Sequence, residues 1–252
     1  MSGIIINPYL FGSAFSSTKS LAFDGVDDYV DLGSPSTGTG THTLSMWINP
    51  ATITNDDRII SNINNTNFSI RFTASNVEVW GNSWESVFAN PSTSTWTHIC
   101  FMFDGSGNVT GYKDGVVGST VATVYNFSNL GIGARAGLAH GDEFHGNIDE
   151  VSIFNSVKAI GDIWDGTGKP TDLTGESGLV GYWKMGEDAT FVYNVNPDGT
   201  WTIPDQAGSN DGTSNNLMAD SARVGTAPSS SNNAVSFNMD AADIDTETPP
   251  NP

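Results

Sequence analysis

An all-β sandwich of two sheets in a jelly roll, with one short helix and an extended C-terminal arm, is the fold class predicted for this 252-residue chain. Short segments of alternating apolar and polar residues recur along it, separated by turn residues roughly every 8–12 positions. The stretch WTHICFMF, residues 96–103, is apolar on both faces, as a strand covered on two sides must be. Helical spacing is confined to one short stretch.

Taken in order, residues 20–24 (SLAFD) place Leu21 and Phe23 on one face. Asp24-Gly25 breaks that strand, and Tyr29-Val30-Asp31-Leu32 resumes the alternation beyond an acidic turn. Residues 34–41 form a Gly/Ser/Thr loop. Residues 43–49 put Leu44, Met46 and Ile48 opposite Trp47, and Pro50 ends the run. Residues 58–62 and 68–73 read as strands joined by an Asn-rich turn, and 77–80 alternates again. Residues 109–112 run into the hairpin tip Lys113-Asp114-Gly115. Strands at 130–133 and 146–154 follow. The helix is predicted within 156–165, where Val157, Ile160 and Trp164 fall at i, i+3 and i+7. In residues 178–185, Leu179, Gly181, Trp183 and Met185 alternate with Val180, Tyr182 and Lys184.

Two of these stretches carry a resemblance. FDGVDDYV at 23–30 and FHGNIDEVSIFN at 144–155 resemble the opening hairpin and closing strand of a laminin-G-like module of the concanavalin A-like lectin/glucanase superfamily. GLVGYWKM at 178–185, with TIPDQAGSNDGT at 202–213, resembles the strand and turn that normally precede that hairpin. NAVSFNMDAADID at 233–245 can be laid on KSLAFDGVDDYVD at 19–31, so the tail looks like the start of a second, incomplete module. The run from 178 onward also resembles virion proteins of tailed phages from marine bacteria. The expected organisation is an arm at 1–17, a sandwich at 18–165, a linker at 166–177, a strand segment at 178–204 and an extended tail at 205–252. The strand segment should pair beside residues 148–154, and the short linker favours pairing within its own chain. The tail holds five Leu, Ile, Val or Phe in 48 residues, too few to fold alone. It is expected to run extended over a partner.

Composition excludes several functions. Nine basic against 28 acidic residues give a net charge of −19, unsuited to a nucleic-acid surface. One cysteine permits no internal disulfide. No apolar run reaches the ~20 residues that span a membrane. The N-terminal apolar run lacks a preceding basic residue and is interrupted by Pro8, so no secretory signal is read there. Residues 4–6 and 9–11 are expected to dock on their own domain.

Catalysis is not expected. Retaining glucanases of the resembled fold use Glu-x-Asp-x-Glu, whose two carboxylates act as nucleophile and acid. The nearest match, Asp243-Ile244-Asp245-Thr246-Glu247, lacks the first Glu and lies in the tail. Cys100 sits mid-strand as an inert thiol, and His42, His98, His140 and His145 lack zinc-ligand spacing. Calcium is the expected cofactor, held by Asp24, Asp27 and Asp28 together with Asp149, which the resemblance places near the turn. The alternative is a solvated acidic turn with Asp149 capping backbone amides. Trp80, Trp84, Trp96 and Tyr112 are candidates for an aromatic glycan platform, against the commoner fate of core residues. Sequons at Asn64, Asn67, Asn108 and Asn126 are read as accidents of composition.

The resulting expectation is a non-enzymatic structural or decoration protein of a phage particle, localised to the virion. Its partners would be other virion proteins, copies of itself and a cell-surface glycan. A carbohydrate-binding module or adhesin at a bacterial surface is the alternative, and a glycoside hydrolase the third reading.

Overall fold

The computed structural model describes residues 15, 17–38, 40–63, 68–81, 83–123, 125, 127–133, 142–195, 198–215 and 220–228. The expectations on residues 4–6, 9–11 and 233–247, on His140, and on the sequons at Asn64, Asn67 and Asn126 lie outside the described residues.

Two antiparallel sheets face each other. The first holds β1 (Ser20–Asp24), β3 (His42–Pro50), β8 (Thr97–Phe103), β9 (Asn108–Lys113), β10 (Val116–Ala122), β12 (His145–Phe154), β13 (Leu179–Trp183) and β17 (Arg223–Val224). Its order is β10-β9-β8-β3-β12-β1-β17, with β13 also on β12. The second holds β2 (Tyr29–Gly33), β4 (Arg58–Asn62), β5 (Ser69–Phe72), β6 (Asn76–Trp80), β7 (Trp84–Ala89), β11 (Leu130–Ile132), β14 (Thr190–Val195), β15 (Asp198–Ile203) and β16 (Gly212–Asn215). Its order is β14-β15-β16-β2-β11-β4-β5-β6-β7.

The period-2 alternation decides which side chains lie between the sheets. Leu21, Phe23, Leu44, Met46, Ile48, Ile99, Phe101, Phe103, Ile148 and Ile153 come from the first sheet; Val30, Leu32, Ile60, Ile70, Phe72, Val77, Val79 and Ile132 meet them from the second. Every residue of β8 is buried, because its outer face is covered too. Cys100 and Met102 pack there with Phe154, Ile163, Leu173 and Tyr182 in a second apolar cluster. The cover is helix α1 (Ile160–Ile163), shorter than the predicted 156–165, and the segment that follows it. That segment was expected to be a linker. Leu173 is buried in the second cluster, and Glu176 pairs with Lys158 at 2.9 Å, so 166–177 is part of the fold.

β12 organises the first sheet. One side pairs with β3, from Gly146 opposite Pro50 to Phe154 opposite Thr43. The other side changes partner midway: Ile148 pairs with Leu21 of β1, and Val151 with Trp183 of β13. Between them the register shifts at a bulge, where Glu150 adopts φ 51°. The strand at 178–185 thus lies against β12 of its own chain.

The tail departs from its expectation. β16 pairs with β2, Thr213 opposite Asp31, and β17 pairs with β1, Ser20 opposite Val224. The opening hairpin is flanked in both sheets by late strands. Low apolar content prevents a segment from folding alone, but it does not prevent backbone pairing onto an existing sheet. Gly212 meets that need by lying flat against Val30 and Leu32, where an added Cβ would stand 3.0 Å from Val30.

Candidate functional site

The β6–β7 hairpin carries an aromatic pair. Trp80 and Trp84 are register partners at its tip, both half-buried, with ring centroids 5.1 Å apart in an edge-to-face arrangement. Alternation along β6 sends Val77 and Val79 into the core, leaving Glu78 and Trp80 on the outer face. On β5 the same rule sends Arg71 outward, directly opposite Glu78. The Arg71 guanidinium lies 3.8 Å from the Trp84 ring centroid and that of Arg58 lies 4.7 Å from it.

Each nitrogen of Arg71 has a carboxylate. Nε and Nη2 donate to Glu78 Oε2 at 3.1 and 2.8 Å, and Nη1 donates to Asp56. Glu78 Oε1 accepts from Ser86 at 3.3 Å. Arg58 is almost fully buried, 3.4 Å from Asp142 and 4.0 Å from Asp56. Burial raises the Asp57 carboxyl above its ordinary value, with Asp142 and Glu143 adding to the effect against hydrogen bonds from Thr54. The surroundings are acidic in balance, and the cations serve as struts beneath Trp84. Thr123 Oγ1 donates to the Trp80 carbonyl at 2.7 Å, fixing the tip against the end of β10.

The other two aromatic candidates lie elsewhere. Tyr112, on β9, packs against the second apolar cluster on the opposite outer face. Trp96 precedes β8 and is half-buried. The four therefore form no common platform; only Trp80 and Trp84 meet. Arg58, Arg71 and Glu78 escaped notice in the sequence, although the alternations in SIRF and NVEVW already put Arg71 and Glu78 on one face.

The acidic candidates also divide. Carboxylate oxygens of Asp24, Asp27 and Asp28 lie within 4.8 Å of one another. Gly25, at φ 75°, makes the turn tight enough for an added Cβ to stand 2.6 Å from His145 Cβ. Asp24 Oδ1 accepts the Val26 amide at 2.8 Å, and Asp28 Oδ2 accepts the Asp24 amide at 3.1 Å. Asp149 does not join them. The register sets Asp24 opposite His145, so Asp149 lies at the far end of β1. There its Oδ2 accepts from Ser17 Oγ at 2.6 Å and its Oδ1 accepts the Glu150 amide at 2.9 Å. Burial, then the neighbouring Glu150, pushes its carboxyl well above the ordinary range. Glu150 itself is pushed up to about 7, chiefly by burial, against a hydrogen bond from Tyr182 and the charge of Lys184.

His98 is fully covered. Ser45 meets its Nε2 at 2.7 Å, Trp164 stacks on it at 5.4 Å, and burial lowers its pKa to about 3, so it stays neutral. Burial likewise raises the Cys100 thiol beyond reach of ionisation at physiological pH, leaving it inert. No helix among the described residues is long and apolar enough to cross a membrane.

A family model described as the concanavalin A-like lectin/glucanases superfamily matches residues 24–163. No curated protein sequence matches the chain. Among solved structures, a candidate carbohydrate-binding protein from Bacteroides ovatus aligns over 80% of this chain with TM-score 0.63 and 18% identity. This chain spans 59% of that protein's length. Domain 4 of the arabinanase AbnA from Geobacillus stearothermophilus, in complex with arabinotriose, aligns over 58% of this chain and 75% of its own, with TM-score 0.48 and 19% identity. The likeness to the Bacteroides ovatus protein is one of fold.

Proposed function

We propose that this chain, which belongs to the concanavalin A-like lectin/glucanases superfamily, is a non-enzymatic glycan-binding protein. The observation that carries this reading is the half-buried Trp80–Trp84 pair on the outer face, braced from below by Arg71 and Arg58. Sugars present C–H faces that rest on indole rings, and rigid aromatics bind them at little cost in side-chain order. Trp80→Ala should abolish retention on the glycans that the native chain binds while leaving the melting temperature within a few degrees. Equal retention by both proteins would remove the pair from the binding site.

Placement on a virus particle rests on the resemblance of the residues from 178 onward to phage virion proteins. Stoichiometric co-purification with intact particles would support it, and absence from them would favour a cell-surface role.

Calcium belongs in this reading at the Asp24, Asp27 and Asp28 turn, without Asp149. The three carboxylates bring oxygens within 4.8 Å of one another, which suits a weak site with Kd on the order of 10⁻⁴–10⁻³ M. Millimolar calcium should raise the melting temperature over that with chelator, and an unchanged melt would exclude the site.

A further inference from the structure

An acidic sugar binds protein most directly through a guanidinium, whose parallel N–H groups match a carboxylate. Arg71 stands where such a fork would serve, beside the half-buried aromatic pair. Its fork is already filled: Glu78 takes Nε and Nη2, and Asp56 takes Nη1. Arg58, the other cation at Trp84, is almost fully buried and cannot be reached from outside. Asp57, Asp142 and Glu143 interact close by, so among the described residues carboxylates outnumber guanidiniums here. An incoming carboxylate or sulfate would have to compete with Glu78 and Asp56 for the guanidinium and lie in a negative field.

Both guanidiniums stack on Trp84, and none stacks on Trp80 among the described residues. Trp80 is therefore the ring whose face is left for a ligand that needs no charge partner.

We infer that the glycan taken by the Trp80–Trp84 pair is uncharged, and that Glu78 sets this selection by occupying the Arg71 fork. This rests on the glycan-binding reading above and makes Glu78 a specificity-determining residue. Glu78→Gln keeps the shape of the side chain and removes its charge, so Arg71 can turn one edge toward a bound acid. Asp56→Asn frees the opposite edge, and asparagine suits the φ of 80° at that position.

The test is a panel of immobilised neutral and acidic oligosaccharides, including lactose, arabinotriose, 3′-sialyllactose and trigalacturonate, probed with the full chain and with each variant. The native chain should bind neutral members only. E78Q should gain at least tenfold in affinity for 3′-sialyllactose or trigalacturonate, and D56N supplies the same readout if E78Q fails to fold. Tightest native binding to the acidic members would overturn the inference while leaving glycan binding intact. Native binding to neutral members with no gain of acidic ligands in either folded variant would remove Glu78 and Asp56 from the selection. Binding to no member by any of the proteins would overturn the glycan reading itself.

Discussion

Glu150 holds a left-handed backbone conformation, φ 51°, inside a strand whose residues around it are buried. Its carboxyl is pushed up to about 7 from an ordinary 4.5. Between these values the folded chain keeps a proton that the unfolded chain has lost, so stability falls as pH rises through the window. The melting temperature should therefore be higher at pH 5 than at pH 7.5, and Glu150→Gln should flatten the profile; a native profile rising with pH would contradict this. Gly25 is a simpler case. Alanine there would be strained at φ 75° and would collide with His145, so Gly25→Ala should cost about 1–3 kcal/mol in urea unfolding. At this scale the sequence put Trp80 and Trp84 among the candidates and marked the acidic turn, because tryptophans four residues apart and three carboxylates within five residues are visible in one dimension. Asp149 was misplaced, because its position depends on register four residues along β1. Arg58 lies next to a bulge, and its approach to Trp84 is a product of cross-strand packing.

Among the elements, the segment at 166–177 changed from an expected linker to part of the fold. Leu173 is the only Leu, Ile, Val or Phe in 166–177, and one apolar residue gives no periodicity to read. Yet it closes the second cluster over Cys100, Met102 and Tyr182. Leu173→Ala should lower stability by about 2–5 kcal/mol, measured by denaturant unfolding. Strand β13 was legible because its alternation is strong and its place beside β12 followed from an otherwise open sheet edge. Strands β16 and β17 were not, since β16 consists of Gly, Thr, Ser and Asn, β17 is two residues long, and their pairing is carried by backbone amides and carbonyls. A chain truncated after Lys169 loses β13 to β17 and leaves β1, β2 and the C-terminal half of β12 unpaired on one side. It should aggregate or melt well below the full chain, and an unchanged monomeric melt would show that these strands contribute nothing.

For the molecule as a whole, the late strands join both sheets to the opening hairpin, and Trp183, Trp201 and Ile203 enter the same core as Leu21 and Val30. Residues 20–224 should consequently unfold as one unit. Calorimetry should give equal calorimetric and van't Hoff enthalpies, and two resolved transitions would contradict that. The fold class was readable because alternation and turn spacing are repeated over many strands, so single errors average out. The division into sandwich, linker and tail was not readable, because strand order in space differs from order in sequence.

That β1 and β17 are neighbours has a mechanical consequence. Ser20 pairs with Val224 and Leu21 with Arg223 in antiparallel register. Tension transmitted through the polypeptide at Ser20 and Val224 therefore acts on the same end of this two-residue ladder. Such loading peels hydrogen bonds one after another instead of shearing them together. In optical-tweezer pulling from these two positions, β17 should detach at low force before the β3–β12 centre yields. The sandwich would then behave as a body hung from a weak clasp, able to give way at its attachment while its core stays folded.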